Sequence, residues 1–220
     1  MKKITFITLF ILLFGGLIYS DTVEDYFDKK SNELLHEYMH QEELFAYSLI
    51  PMPYEYQIIY EYTEWQKKRH SKEKMVEKAQ ALLNSQLHKE NLLFQFMIQY
   101  TGDLFSEGKT EVDFPDDLQE YIFLENDSGD YVRCNKLAGN IVEYGSVGAT
   151  SLIESGDLTI QFPKKLNKNT LITDNTNYIK VVFEVSDLDK NEFVYIVPLS
   201  EKWSDMPEEV KNIIDKAKNN

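Results

Sequence analysis

The chain has 220 residues, a formal net charge of −14 and 13% aromatic residues. Phosphate binding needs clustered Lys and Arg, so this balance excludes nucleic acid as a partner and disfavours an anionic membrane surface. One cysteine, Cys134, excludes an internal disulfide, and the fourteen Tyr and thirteen Phe must supply the core instead.

Met1, Lys2 and Lys3 form a short positive start. An apolar run from Ile4 to Tyr19 follows, shorter than the roughly 20 residues of a membrane-spanning helix. Gly15 and Gly16 break it before Ser20, and charged chain begins at Asp21. This is the three-part pattern of a signal peptide, residues 1–20, with cleavage expected after Ser20. Cleavage removes two lysines and takes the charge from −14 to −16. Ile18 departs from the small residue usual three positions before the cut, so the alternative is an uncleaved anchor, the only membrane contact expected. No Cys follows the run, so the protein is not read as a lipoprotein. The expected address is extracytoplasmic, either periplasmic or secreted.

Residues 21–90 read as a helical region of about three helices. Val23, Phe27, Leu34, Tyr38, Phe45 and Leu49 recur near 3.6 residues, which predicts one helix ended by Pro51 and Pro53. The next stretch fits two periods. Tyr54, Tyr56, Ile58, Tyr60 and Tyr62 alternate as in a strand, whereas Tyr54, Ile58, Tyr62 and Trp65 line a helix face. Pro53 before the start, Glu55 in the first turn and Lys67, Lys68 and Arg69 in the last favour the helix. A third helix starts from Ser71 as N-cap and runs through Met75, Val76, Ala79, Leu82, Leu83 and Leu87.

From Asn91 the period becomes two, and residues 91–203 read as an antiparallel β-sandwich of about seven strands. Tyr121–Glu125 and Asp130–Asn135 flank Asn126-Asp127-Ser128-Gly129, a hairpin turn with Gly at a position of positive φ. Cys134 shares a face with Val132 and reads as a buried apolar residue. Further strands are predicted at Asn140–Val147, Asp157–Phe162, Tyr178–Val185 and Glu192–Val197. In strand count and spacing this half resembles an immunoglobulin-like sandwich, a likeness that implies no activity. Residues 204–220 form a short C-terminal helix, with Ser204, Pro207, Glu208 and Glu209 at its start and Val210, Ile213, Ile214 and Ala217 as its apolar stripe. The fold class is therefore α+β, with the N-terminal helices packed on the sandwich.

His36-Glu37-Tyr38-Met39-His40 matches H-E-x-x-H. Residues four apart share a helix face, so two imidazoles can hold one Zn²⁺ and the glutamate can serve as base for its water. The five residues resemble the zinc-binding helix of zincin metallopeptidases. That resemblance implies His36 and His40 as ligands, Glu37 as base, and Glu61 or Glu64 as third ligand. The helical wheel points the other way. With Phe27, Leu34, Tyr38 and Phe45 facing the core, His36 lies about 180° and His40 about 140° from that face. Asp187, Asp189 and Asn191 open like a calcium loop, but Glu192 stands where Gly is needed. Tyr54, Tyr56, Tyr60, Tyr62 and Trp65 form either a groove for a glycan or peptide, or an aromatic seam between helices and sheet.

These residues predict an exported, non-enzymatic protein that binds a protein, peptide or glycan partner or belongs to the cell envelope, with no cofactor. The alternative is a zinc-dependent metallopeptidase built on His36–His40.

Overall fold

The computed structural model describes residues 22–41, 45–103, 114–146, 151–166, 169–186 and 188–219. Residues 1–20, read above as a signal peptide, and Asp187 lie outside them. The fold is α+β, with five α-helices and two antiparallel sheets among the described residues. No helix among them is long and apolar enough to cross a membrane.

Helix α1, Val23–Tyr38, begins with a capping box: the Thr22 hydroxyl accepts from the Asp25 amide while the Asp25 carboxylate accepts from the Thr22 amide, each at 3.2 Å. It ends at Tyr38, which corrects the long helix expected to run to Leu49. Two strands follow, β1 (His40–Gln41) and β2 (Phe45–Pro51). The spacing of four between Phe45 and Leu49 suits a helical turn and equally suits two steps of a strand. Pairing with β3 decides it, and puts Tyr47 and Leu49 on one buried strand face.

Helix α2 covers Tyr54–Lys67 with Pro53 as N-cap, so the helical reading of the tyrosine-rich stretch holds. Ser71 caps α3, Lys72–Asn84, by accepting from the Lys74 amide at 3.3 Å. The expected continuation to Leu87 is interrupted at Ser85, which starts a separate short helix α4, Gln86–Glu90.

The first sheet runs β1-β2-β3-β7-β6, with β3 at Asn91–Asp103, β6 at Lys136–Ser146 and β7 at Ser151–Pro163. The second runs β11-β10-β4-β5, from β4 (Ile122–Asn126), β5 (Tyr131–Arg133), β10 (Tyr178–Phe183) and β11 (Glu192–Ile196). A small ribbon pairs β8 (Lys165–Leu166) with β9 (Asn169–Thr170). The first sheet therefore takes β1 and β2 from the region read as helical, and the strand list behind the immunoglobulin-like likeness does not carry over as counted. The β4–β5 hairpin turns as expected, with Gly129 at φ 84°.

Cross-strand partners share a face. Tyr47, Leu49, Phe94, Phe96, Leu158 and Ile160 form the inner face of the first sheet. They meet the second sheet through Phe96 and Phe183 (ring centroids 5.0 Å apart), Phe94 and Tyr195 (5.1 Å), and Tyr47 and Phe193 (6.2 Å). The opposite face is also covered: Ala46, Ser48 and Ile50 are buried, α1 packs on β2, and the Tyr56 hydroxyl of α2 donates to Gln95 of β3 at 3.3 Å. A 3₁₀ turn, Leu199–Trp203, carries Trp203 from the second sheet into the helical layer. There the fully buried indole sits against Phe27 and Tyr56, at 6.2 and 5.4 Å. Helix α5, Glu208–Asn219, then lays Val210, Ile213, Ile214 and Ala217 against α3 and α2. It begins four residues after Ser204; Asp205 instead accepts from the Tyr26 hydroxyl (2.8 Å) and the Lys30 ammonium (3.1 Å) of α1.

Two changes test this layering. At Gly139, φ is 122° and a Cβ would lie 2.0 Å from the Asp157 carbonyl oxygen of the neighbouring strand. Gly139→Ala is expected to destabilise by about 3 kcal/mol or more, measured by urea unfolding. The fully buried Tyr195 hydroxyl donates to the Leu49 carbonyl at 2.8 Å, tying β11 to β2. Tyr195→Phe leaves that oxygen without this donor and is expected to cost about 1–2 kcal/mol by the same measurement.

Candidate functional site

The zincin-like residues do not converge. His36 and Glu37 are exposed in the last turn of α1, and Glu37 is ion-paired with Lys202. His40 lies beyond the end of the helix, in β1, with its ring edge-on to Tyr47 at 5.3 Å. The i, i+4 helical geometry that would bring both imidazoles to one ion is therefore not formed. Glu64 is ion-paired with Lys67 at 3.2 Å, and Glu61 is half-buried on α2. Among the described residues no group of three His, Cys, Asp or Glu side chains is poised to hold a metal ion. Cys134 is buried, its thiol donating to the Lys136 carbonyl at 3.3 Å, and burial pushes its pKa up.

The aromatic set on α2 divides. Tyr62 and Trp65 are buried in the core, and Tyr56 packs on Phe27 and Trp203. Tyr60 is 51% exposed. Tyr54 lines a cavity, with Lys218 over its ring at 5.3 Å.

That cavity, of about 310 Å³, opens where the helices, the first sheet and the loop after β11 meet. Its position follows from the chain. Pro51 and Pro53 end β2 and start α2, so Tyr54 and Glu55 stand at the rim of the first sheet. The Met52 amide donates to the Leu93 carbonyl at 2.8 Å, holding this turn on the start of β3. Across the gap, the Lys164 amide donates to the Glu90 carbonyl at 2.7 Å, so the end of β7 sits beside α4. Leu92, Leu93, Ile172, Val197 and Leu199 supply apolar walls.

Besides the Tyr54 phenol, three ionisable side chains line it: Glu55, His88 and Lys164. Glu55 is only 6% exposed and His88 only 7%. Burial pushes the Glu55 carboxyl up; the Tyr54 hydroxyl, its own amide and the charges of Lys218 and Lys164 oppose this without cancelling it. Burial lowers the Lys164 ammonium against the pull of Glu55. Burial lowers His88 too, with the Lys164 charge adding to the effect. The His88 imidazole is thus held neutral, with Nε2 donating to Gln57 Oε1, and the His88 carbonyl accepts from Lys164 Nζ. Four buried side-chain atoms among the described residues have no partner: Ser31 Oγ, Ser48 Oγ, Trp203 Nε1 and Glu55 Oε2. Only the last belongs to a carboxyl group, and it belongs to a residue of the cavity wall. A buried carboxylate oxygen without a donor costs free energy in the empty protein and suits a site completed from outside.

Residue-type motifs miss this trio, because 109 positions separate Glu55 from Lys164. One signal was present. Glu55 stands at i to Ile58, Ile59 and Tyr62 at i+3, i+4 and i+7, which puts a carboxylate on the buried stripe of α2. The acidic first turn of a helix absorbed it as a dipole partner.

No family model matches the chain, and no curated protein matches it. A crystal structure of a novel protein of unknown function from Burkholderia pseudomallei is 10% identical, with a TM-score of 0.33, covering 92% of this chain and 99% of that one.

Burial raises the Glu55 pKa in the folded state, so ionising Glu55 costs the folded chain more than the unfolded one. Glu55 therefore costs no stability below its unfolded pKa, and the cost grows as pH rises through the folded value. Glu55→Gln is expected to raise the unfolding free energy of the ligand-free protein at pH 7 by about 1 kcal/mol or more. The gain should shrink to nothing as pH falls to about 4. Thermal unfolding at a series of pH values measures it.

Proposed function

We propose that this is an exported, non-enzymatic binding protein that takes a small amphipathic ligand, or the end of a peptide or glycan, into the cavity lined by Glu55, His88 and Lys164. The observation that carries this reading is a partly apolar cavity whose wall includes Glu55, a buried carboxyl group with one oxygen unpartnered. The volume stands at the lower end of the roughly 300–1,000 Å³ typical of small-ligand sites. Mixed lining supports binding over chemistry: apolar walls grip a body, and a few converging polar groups orient it. Export rests on the pattern of residues 1–20, and a partner outside the cytoplasm follows from it. The immunoglobulin-like comparison and an envelope location are expectations of the same kind and add nothing to the site. The metallopeptidase alternative, with zinc on His36 and His40, draws no support from the exposed His36 and the break of α1 before His40.

A second binding surface has one observation behind it. Val194 and Ile196 of β11 are 52% and 63% exposed, and Tyr178 pairs directly with Ile196 on the outer face of the second sheet.

The cavity reading is tested by methyl NMR of the full folded chain against a panel of small amphipathic compounds. Saturable shifts confined to Leu92, Leu93, Ile172 and Val197 are expected. If no compound moves them while the spectrum stays that of a folded protein, the proposal falls.

A further inference from the structure

The cavity asks for two opposite charges at once. Glu55 Oε2 is buried and has no donor. Lys164 Nζ donates to the His88 carbonyl, which leaves two of its three N–H groups without a protein acceptor among the described residues. The two groups sense each other's charge, yet they form no ion pair. His88 is neutral and adds no charge of its own.

Ligand classes can be weighed against that arrangement. A simple cation would satisfy Glu55 and meet the Lys164 ammonium at close range. A simple anion would do the reverse. A neutral apolar molecule would desolvate both charged groups and pair neither, which is the costliest outcome. A molecule with an ammonium and a carboxylate a few bonds apart neutralises both and leaves the complex without excess charge. The remaining wall, chiefly Leu92, Leu93, Ile172 and Leu199, takes an apolar body. A cavity of about 310 Å³ has room for a single residue and little more.

We propose that the ligand is a free apolar α-amino acid of the leucine or phenylalanine kind, its ammonium on the Glu55 carboxyl group, its carboxylate on the Lys164 ammonium and its side chain against Leu92 and Ile172. This inference rests on the cavity being the binding site.

Calorimetric titration of the full chain with L-leucine and L-phenylalanine tests it. One of the two should bind at a single site. N-acetyl-leucine lacks the ammonium and leucinamide lacks the carboxylate. Each should bind about tenfold more weakly or worse, the loss of one charge-assisted contact. Glycine, without a side chain, should not bind measurably. Glu55→Gln and Lys164→Met should each lose the same factor. A Glu55→Gln chain that unfolds no earlier than the parent shows that the loss is not misfolding. The proposal is overturned if neither amino acid binds, if the acetylated or amidated forms bind as well as the free ones, or if Glu55→Gln binds unchanged. In any of those cases, methyl shifts at Leu92 and Ile172 with other compounds would leave the cavity reading standing; their absence would remove both.

Discussion

The β2–β3 part of the first sheet is covered on both faces, and most of the molecule follows from that constraint. Such a sheet needs two covering layers. The second sheet supplies one, through Phe183, Phe193 and Tyr195; α1 and α2 supply the other. Polar side chains on the helix-facing side must then find partners within the protein. Gln95 does so in a short network, accepting from the Tyr56 hydroxyl and donating its amide to Asp157 at 2.9 Å, whereas Ser48 Oγ is left without a partner. Burial, with Asp157 nearby, pushes the Tyr56 phenol up to about 12, so it stays a donor at any ordinary pH. Trp203 closes the layer by crossing from the loop after β11 and filling the space between Phe27 and Tyr56.

Three layers of unequal extent leave a gap where their rims meet. β3 begins at Asn91 directly after α4, α2 begins directly after β2, and the loop after β11 passes overhead. Close packing fills the centre of such an assembly better than its rim. The cavity is therefore a consequence of the architecture. Its lining is less easily explained that way. A rim gap needs only apolar or solvated residues, and this one holds a carboxyl, an ammonium and an imidazole, all with pKa values displaced by burial.

Legibility from the chain tracked the range of the interactions involved. Capping is local, and Ser71 and Pro53 mark their helix starts as the residues suggest. The β4–β5 turn is equally local, and Gly129 takes the positive φ expected of it. The stretch from Tyr38 to Pro51 defeated pattern reading because a spacing of four satisfies both periods. Pairing with β3, more than forty residues away, then settled Phe45–Pro51 as strand. The H-E-x-x-H match failed for the same reason: its geometry presumes a continuous helix, and long-range pairing of β1 with β2 takes His40 out of it. The cavity trio is harder still, since no two of its members are near in sequence. Only Glu55 left a local trace, as the one acid on an apolar helix stripe.

The acids elsewhere sharpen what is unusual about Glu55. Asp127, in the β4–β5 turn, accepts from the amide and side chain of Asn177 at 2.8 and 3.0 Å, and that amide heads the causes holding it below the usual carboxylate range. Asp205 joins the 3₁₀ turn to α1 and is likewise lowered, its bonds to Tyr26 and Lys30 outweighing partial burial. Glu37, the would-be catalytic base, is paired with Lys202. Each of these carboxylates has a partner that explains its place. An excess of acids at the surface also keeps the protein soluble, so a charge of −14 gives no reason to bury one more. Glu55 is buried among apolar side chains, raised in pKa and without a donor on one oxygen, at a position where an Ile or Leu would continue the stripe of α2. A residue that weakens the fold, where an apolar one would strengthen it, is the feature on which the proposed binding role of the cavity rests.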